Sequence, residues 1–392
     1  MKRPCRARAF PACLLFGGWL LAAAGAVRAG EPVDAYGFSG IEPAIEEGRA
    51  LQQAGRHREA IRAFRRAIHL QRINEGLDSP AQLTLWERVL ESQLALGLRE
   101  AADGTQENLY RLRRGHATAP AERLAAARAY SDWKRERYLD GVGSAAYRDL
   151  LAMADVHEEA LAALRAAGDS ANVAEVPHLY HRLEVEYLVS TYAGENSPVT
   201  HVHSGGVGLA DYETATDLDA DRFRCLRKHN FRNGRETLER IIAVLEAQPE
   251  QDVEALAAAK IALGDWYLWW HRRGRALANY REAWALYEGD GDPATDPAAL
   301  FPGPRELPDA EAFSTGRAPD RYQQPARALV RFEVSRLGEV RGIEFLELDP
   351  GDAPGARSAL YQLLKNYRFR PLLRDGEVVA ASDVVRRYRY HY

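Results

Sequence analysis

Residues 263–283 read LGDWYLWWHRRGRALANYREA, and this stretch decides the fold of most of the chain. Small residues such as Gly264 and Ala276 are spaced so that two antiparallel helices can approach closely, and Tyr280 fills the space that remains. Residues 271–274 supply the turn between the helices. The stretch therefore predicts a tightly packed helical hairpin.

The same offsets occur near the start of the chain, in residues 41–70, where Gly48 and Ala60 are the small residues and Phe64 is the large one. A poorer copy runs from Trp86 to Leu109. This spacing resembles the tetratricopeptide repeat (TPR), a helix–turn–helix unit of about 34 residues. The resemblance implies a solenoid of stacked helix pairs. No copy ends in the usual proline and the central helices do not keep the period, so we expect an irregular, TPR-like solenoid.

Two segments interrupt this mainly α pattern. Helical periodicity covers 30–193 and 234–289, but residues 194–233 form an irregular excursion rich in Gly, Asp, Thr and His. Long excursions of this kind are usually functional or mobile. Residues 290–325 contain seven prolines and no apolar periodicity, which predicts a Pro-rich linker that is either docked or free.

The last part of the chain, residues 326–392, changes from helical to alternating periodicity. Val330 and Phe332 alternate with polar residues as in a half-buried strand, and a second strand follows with a bulge expected at Gly342. A short helix with Leu360 on its apolar face precedes a closing alternating strand. We therefore predict a small α+β domain of ββαβ order.

The ending also resembles a known family. The segments VRFEVSRLGEVRGIEFLE, ALYQLLKNYRFRP and DGEVV, followed by an alternating strand, are similar to the C-terminal domain of TonB-type energy transducers. The resemblance implies a periplasmic module that adds a strand of an outer-membrane protein to its sheet. A free sheet edge can bind an extended peptide in this way. In this chain the residues implied are Val385, Arg387, Tyr388, Arg389 and Tyr390.

The stretch NYRFRPLLRDGEVV, residues 366–379, is predicted as a structural corner of this domain. We expect Phe369 to fill the small core where helix meets sheet, with Arg368 and Arg370 facing solvent. Pro371 should prevent the segment from extending into a paired strand, and Asp375-Gly376 should supply a turn.

The N-terminus predicts secretion. Four basic residues precede an apolar run, residues 10–27, and small residues flank a cleavage point after Ala29. The expected signal peptide is residues 1–29, with an uncleaved membrane anchor as the alternative. Its removal would lower the formal net charge of −4 by five, to −9. An acidic protein of this kind is not expected to bind nucleic acid.

Three tryptophans, Trp266, Trp269 and Trp270, cluster in the best repeat. Their helical spacing favours core packing, with the alternative that one of them lines a concave groove, so all three are candidate partner-binding residues.

Candidate metal ligands are few. His201 and His203 lie in the 194–233 excursion, and His178 and His181 lie one turn apart on a helix with Glu184 close by. No further ligand with firm spacing accompanies either pair. The chain has no Gly-x-Ser-x-Gly elbow, no phosphate-binding loop and no His-Glu-x-x-His motif. We therefore expect no cofactor, no metal and no catalytic activity, with a metal-dependent envelope enzyme as an alternative.

These features together predict a periplasmic scaffold protein that binds protein or peptide partners through its TPR-like surface and its closing strand. Contact with the membrane is expected only if the N-terminal segment is retained. A second hypothesis is a membrane-anchored, TonB-like energy transducer. The cleavable signal and the helical body, which stands in place of a long Pro-rich spacer, both count against that hypothesis.

Overall fold

The computed structural model describes residues 40–141, 146–166, 173–192, 218–290, 296–307, 324–351 and 353–392. The predicted signal peptide at residues 1–29 and the candidate ligands His201 and His203 lie outside these ranges.

Helices dominate the chain up to residue 290, and consecutive helices pack side by side as TPR-like hairpins. Their bounds are α1 Ile41–Gln53, α2 His57–Glu75, α3 Gln82–Ala95, α4 Arg99–His116, α5 Pro120–Leu139, α6 Ala146–Ala166, α7 Glu175–Thr191, α8 Leu218–Glu246, α9 Val253–Trp269 and α10 Arg273–Asp290. None of the described helices combines the length and apolar composition that a membrane span needs.

The first and last hairpins pack through the small and large residues that the sequence indicated. A Cβ atom built on Gly48 would lie 2.6 Å from Cε1 of Phe64, and one on Gly264 would overlap the ring of Tyr280 in the same way. Both rings are fully buried. Because protein interiors are close-packed, only glycine fits at these two contacts.

Helix α8 corrects the predicted extent of the irregular excursion. It begins at Leu218, so residues 218–233 are helical, while residues 193–217 lie outside the described ranges. Phe223 is fully buried, with its ring centroid 5.0 Å from that of Tyr192 and 5.5 Å from that of Tyr147. This tertiary packing stabilises the first part of α8, whose polar sequence does not by itself predict a helix.

The described part of the predicted linker is docked. Residues Pro297–Leu300 form a 3₁₀ turn, and Phe301 packs with its ring centroid 5.8 Å from that of Tyr280 and 6.3 Å from that of Trp284. Phe301 is buried, and burial of such a side chain stabilises the fold by about 1.5–3 kcal/mol. Residues 308–323 of the linker lie outside the described ranges.

The C-terminal unit consists of the elements β1 Arg305–Leu307, β2 Pro325–Val334, β3 Val340–Asp349, α11 Pro354–Asn366, β4 Arg368–Arg370, β5 Leu372–Arg374, β6 Glu377–Val379 and β7 Ala381–His391. Three of the strands form an antiparallel sheet of order β3-β2-β7, and the other four form two short two-stranded ribbons. The predicted order of two strands, a helix and a closing strand is therefore present, with β4, β5 and β6 added between helix and closing strand.

The alternation predicted for β2 is also present, because its residues from Ala326 to Val334 alternate between buried and more exposed. The register between β2 and β3 shifts opposite Phe332, where Gly342 has a φ of 60°, as the predicted bulge requires. Asp375 and Gly376 both have positive φ and join β5 to β6 as a two-residue turn. Phe369 is fully buried in the core of this unit, with its ring centroid 5.4 Å from that of Phe332.

Candidate binding pocket

A cavity of about 610 Å³ lies between helices α7 and α9, residues 299–307 and strand β4. Cavities of this volume are typical of ligand-binding sites. We call it the terminal pocket because α7 and α9 are the first helices of the last two hairpins. Its walls include Tyr180, Leu183 and Tyr187 of α7, Ala258, Ile261 and Asp265 of α9, Leu300, Arg305 and Leu307 of the docked segment, and Arg370 of β4.

Helical periodicity positions the walls. Tyr180, Leu183 and Tyr187 are three and four residues apart, so they share one face of α7. Ala258, Ile261 and Asp265 share one face of α9 for the same reason. The pocket therefore lies between two neighbouring helix faces, with small and apolar side chains contributing most of its surface.

A buried ion pair is part of the pocket lining. Nε of Arg370 donates to Oδ1 of Asp265 at 2.8 Å, and a second guanidinium nitrogen contacts Oδ2. The hydroxyl of Tyr280 donates to the same Oδ1 at 2.9 Å. Burial alone would lower the pKa of Arg370. The attraction of the Asp265 carboxylate is larger than this effect, so the pKa of Arg370 is raised. Burial, followed by the same carboxylate, raises the pKa of Tyr280 well above its ordinary value.

The docked segment closes one side of the pocket. Strand β1 pairs antiparallel with β4, with Arg305 opposite Arg370 and Leu307 opposite Arg368. Glu306 between them is buried and accepts a hydrogen bond from the Tyr388 hydroxyl at 3.0 Å. The terminal pocket is thus built jointly by the helical hairpins and the C-terminal unit.

The position of Arg370 corrects the sequence prediction that it faces solvent. Its side chain is only 11% exposed, whereas Arg368 remains half-exposed and its Nε lies 3.4 Å from Nδ1 of His271. Side chains on β4 alternate between the two faces around Phe369, as expected. The face opposite Phe369, however, packs against α9 instead of facing solvent. Strand periodicity identifies two faces without showing what covers the second.

The tryptophan cluster belongs to the core. Trp266 is fully buried, and its Nε1 donates to the carbonyl oxygen of Phe231 at 2.9 Å, so it is not accessible to a partner. Nε1 of Trp269 donates to Oγ of Ser190 at 3.0 Å, which joins α9 to α7. None of Trp266, Trp269 and Trp270 is among the residues that line the terminal pocket.

The candidate residues on the closing strand divide between its two faces. Val385, Arg387 and Arg389 are exposed, whereas Tyr388 and Tyr390 are buried and do not present their rings to solvent. The hydroxyl of Tyr390 donates to the carbonyl oxygen of Ala356 at 2.8 Å. The outward residues remain available to a partner, and the two tyrosines hold β7 to the unit beneath it.

The described histidines do not form a metal site. The ring centroid of His181 lies 6.1 Å from that of His157 and 6.5 Å from that of His178. No group of three His, Cys, Asp or Glu side chains within the described ranges has the geometry to hold a metal ion. Sγ of Cys225 lies 3.6 Å from Nδ1 of His229.

Asp265 and Arg370 were not predicted as site residues. Asp265 lies within LGDWYLWW, where it is the only charged residue among apolar ones. A carboxylate on the buried face of a helix needs a cation or a hydrogen-bond donor as its partner. The position of Asp265 among apolar residues could therefore have indicated a buried ion pair. The sequence did not show that the partner lies 105 residues away, because no local pattern relates the two positions.

Comparisons with known proteins give structural neighbours only. No model of a known protein family matches the chain, and no curated protein matches its sequence. Among solved structures, the nearly identical TPR-like repeats of a Podosopora anserina kinesin light chain align with 12% identity and a TM-score of 0.35, covering 64% of this chain and 97% of theirs. A variant of the same repeats aligns with 12% identity and a TM-score of 0.34, covering 63% and 93%. At these values the neighbours add nothing to the helix-hairpin architecture described above.

Proposed function

We propose that this protein is a non-enzymatic binding protein whose terminal pocket receives an extended segment of a protein partner. The observation that carries the proposal concerns the chain's own segment: residues 305–307, in extended conformation, form part of the pocket wall alongside α7 and α9. An extended polypeptide therefore already packs at the edge of this site. Repeat proteins commonly bind partners on the surface formed by equivalent helices of successive repeats.

The chemistry of the pocket fits a peptide with apolar side chains. Tyr180, Ala258 and Leu300 line the pocket without being fully buried, so they offer apolar surface. Glu254 and Arg305 add exposed charges, while the Asp265–Arg370 pair is already satisfied by mutual contact and by Tyr280. Apolar burial supplies the affinity in such a site, and the few polar groups fix orientation.

A selection of peptides on the intact chain tests the proposal. Ala258 is exposed in the pocket, and Ala50 is an exposed alanine on α1, far along the chain. Peptides displayed on phage should bind the chain and its Ala50→Arg variant equally, whereas Ala258→Arg should weaken binding at least about tenfold because its side chain fills the pocket. Failure to select any peptide, or equal binding by Ala258→Arg, would overturn the proposal.

A second binding surface is favoured by one observation on β7. Within the described residues this strand pairs with β2 alone, so its other edge is available for strand addition, as the resemblance to TonB-type domains implies. Addition of an outer-membrane protein segment should slow hydrogen exchange of β7 amides. Unchanged exchange in the presence of solubilised outer-membrane proteins would contradict it.

The proposed compartment is the periplasm. Its support is the charged, apolar and small-residue pattern of residues 1–29. Sequencing the N-terminus of the mature protein tests this, with Gly30 as the expected first residue. A mature chain that begins upstream of the apolar run would favour the anchored alternative.

A further inference from the structure

Three imidazoles converge where helices α5, α6 and α7 meet. The ring of His157 on α6 stacks on that of His181 on α7, with centroids 6.1 Å apart and planes inclined by 5°. The ring of His178, one turn away on α7, lies 6.5 Å from that of His181. We call these three residues the histidine junction.

The hydrogen bonds of the junction suit neutral rings. His157 is fully buried, and its Nε2 lies 2.9 Å from Oγ of Ser131 on α5. Nδ1 of His157 and Nδ1 of His178 are both buried, and neither has a hydrogen-bond partner among the described residues. A neutral imidazole can leave one nitrogen without a proton, but a protonated one must place an N–H donor at both positions. Protonation would therefore bury donors that have no acceptor.

The positive charges around the junction oppose protonation of His157 and His178. Arg128 of α5 and Arg182 of α7 face the imidazoles with positive charge. Glu184 provides one carboxylate, 3.5 Å from Nδ1 of His181, while Asp132 of α5 lies 3.9 Å from Arg128. Burial, assisted by the neighbouring imidazoles and Arg182, lowers the pKa of His157 to about 3. Burial likewise lowers the pKa of His178.

Helix α7 connects the junction to the terminal pocket. His178 and His181 lie on one face of α7, whereas Tyr180, Leu183 and Tyr187 lie on the opposite face and line the pocket. A helix is stiff over this length, so a displacement driven from one face moves the other.

We propose that the histidine junction makes the terminal pocket sensitive to pH, because protonation of the imidazoles drives α7 away from α5 and α6. This rests on the proposed function of the pocket. Since burial holds the imidazoles of His157 and His178 neutral in the folded state, the stability that these two rings allow is complete above the unfolded-state pKa of about 6.5 and is lost as the pH falls below it.

Hydrogen exchange of the intact chain tests the switch without any peptide. With a pKa of about 3 for His157 in the folded state and about 6.5 once α7 has opened, acidification from pH 7 to pH 5 favours opening by up to about 30-fold. Amides of α7 should therefore exchange at least about tenfold faster at pH 5, after correction for the intrinsic pH dependence. Exchange in α1 and α2 should change much less. Equal protection of α7 at both pH values would overturn the proposal.

Variants distinguish the effect of protonating the histidine junction from a general destabilisation by acid. His157→Gln removes the imidazole whose burial opposes its protonation most strongly, so the acceleration at pH 5 should fall at least about threefold relative to the parent chain. His69→Gln, an exposed site on α2, is the matched control and should behave as the parent. If His157→Gln does not fold at pH 7, His178→Gln serves the same test, because burial also opposes the protonation of His178. An undiminished acceleration in the folded variant would contradict the proposal, whereas loss of peptide binding at all pH values would contradict only the proposed function.

Discussion

Arg370 and Asp265, which lie 105 residues apart in the sequence, form a buried ion pair that joins the C-terminal unit to the last helical hairpin. The side chains are 11% and 9% exposed. Both residues line the terminal pocket, so the same contact that fixes the C-terminal unit also shapes the candidate site.

Replacement of Arg370 by alanine should destabilise the protein by about 3 kcal/mol, because it leaves the Asp265 carboxylate buried without its cation. Urea unfolding of the intact chain measures the change. Arg341→Ala, at a position where the side chain is 62% exposed, is the control and should change the free energy of unfolding by less than about 0.5 kcal/mol. Equal stability of the two variants would show that the pair is not buried in solution.

Replacement of Phe369 by alanine should destabilise the C-terminal unit by about 3–5 kcal/mol, because the ring is fully buried against Phe332. Thermal unfolding measures the loss of stability, and hydrogen exchange should locate that loss to β2, β7 and α11. Phe345→Ala, at a partly buried position on β3, should cost less. A smaller effect of Phe369→Ala than of Phe345→Ala would contradict this packing.

Gly264→Ala should destabilise the last hairpin by about 1–3 kcal/mol, since the added methyl group overlaps the Tyr280 ring. Gly274→Ala is the matched control, because nothing lies within 4 Å of the Cβ position there. That control should be neutral or slightly stabilising, as expected for glycine replaced within a helix. Thermal melting of both variants checks the difference, and a stabilising Gly264→Ala would show that the two helices are farther apart.

The pH dependence of stability should change in Glu186→Gln. Burial raises the pKa of Glu186 to about 7, and Asn230 donates to its Oε2 at 2.5 Å. A raised folded-state pKa means that the protonated carboxyl is favoured on folding, so its contribution is complete below about pH 4.5 and is lost as the pH rises through 7. The substitution should therefore stabilise the protein by about 2 kcal/mol at pH 8 and change little at pH 4.5.

Unfolding of the parent chain and of Glu186→Gln at the two pH values measures this effect. The exposed Glu236→Gln serves as the control and should show no such difference between them. A Glu186→Gln variant with the same stability as the parent at pH 8 would mean that this carboxyl is solvated.

The parts of the fold that could be predicted from the sequence rest on local spacing. Gly48 and Phe64 are 16 positions apart, as are Gly264 and Tyr280. The residues that determine the geometry of each hairpin therefore lie within one short segment of the sequence. The alternation of β2 is local in the same sense.

The features that sequence reasoning missed depend on distant contacts. The helical pattern of residues 218–233 is weak, and Phe223 packs against Tyr147 of α6 and against Tyr192, which directly follows α7. The docking of Phe301 likewise depends on Tyr280 and Trp284. The terminal pocket could not be predicted for the same reason, because Asp265 and Arg370 become neighbours only when the C-terminal unit packs on α9.

A photocrosslinking experiment tests the central claim most directly. p-Benzoylphenylalanine is placed at Ala258 in one preparation of the intact chain and at Ala50 in another, and each is irradiated with a peptide selected on the parent chain. We predict a crosslink from position 258 that maps to the apolar part of the peptide, and none from position 50. A peptide that still binds both preparations but crosslinks from position 50, or from neither position, would contradict the assignment of the terminal pocket as the binding site.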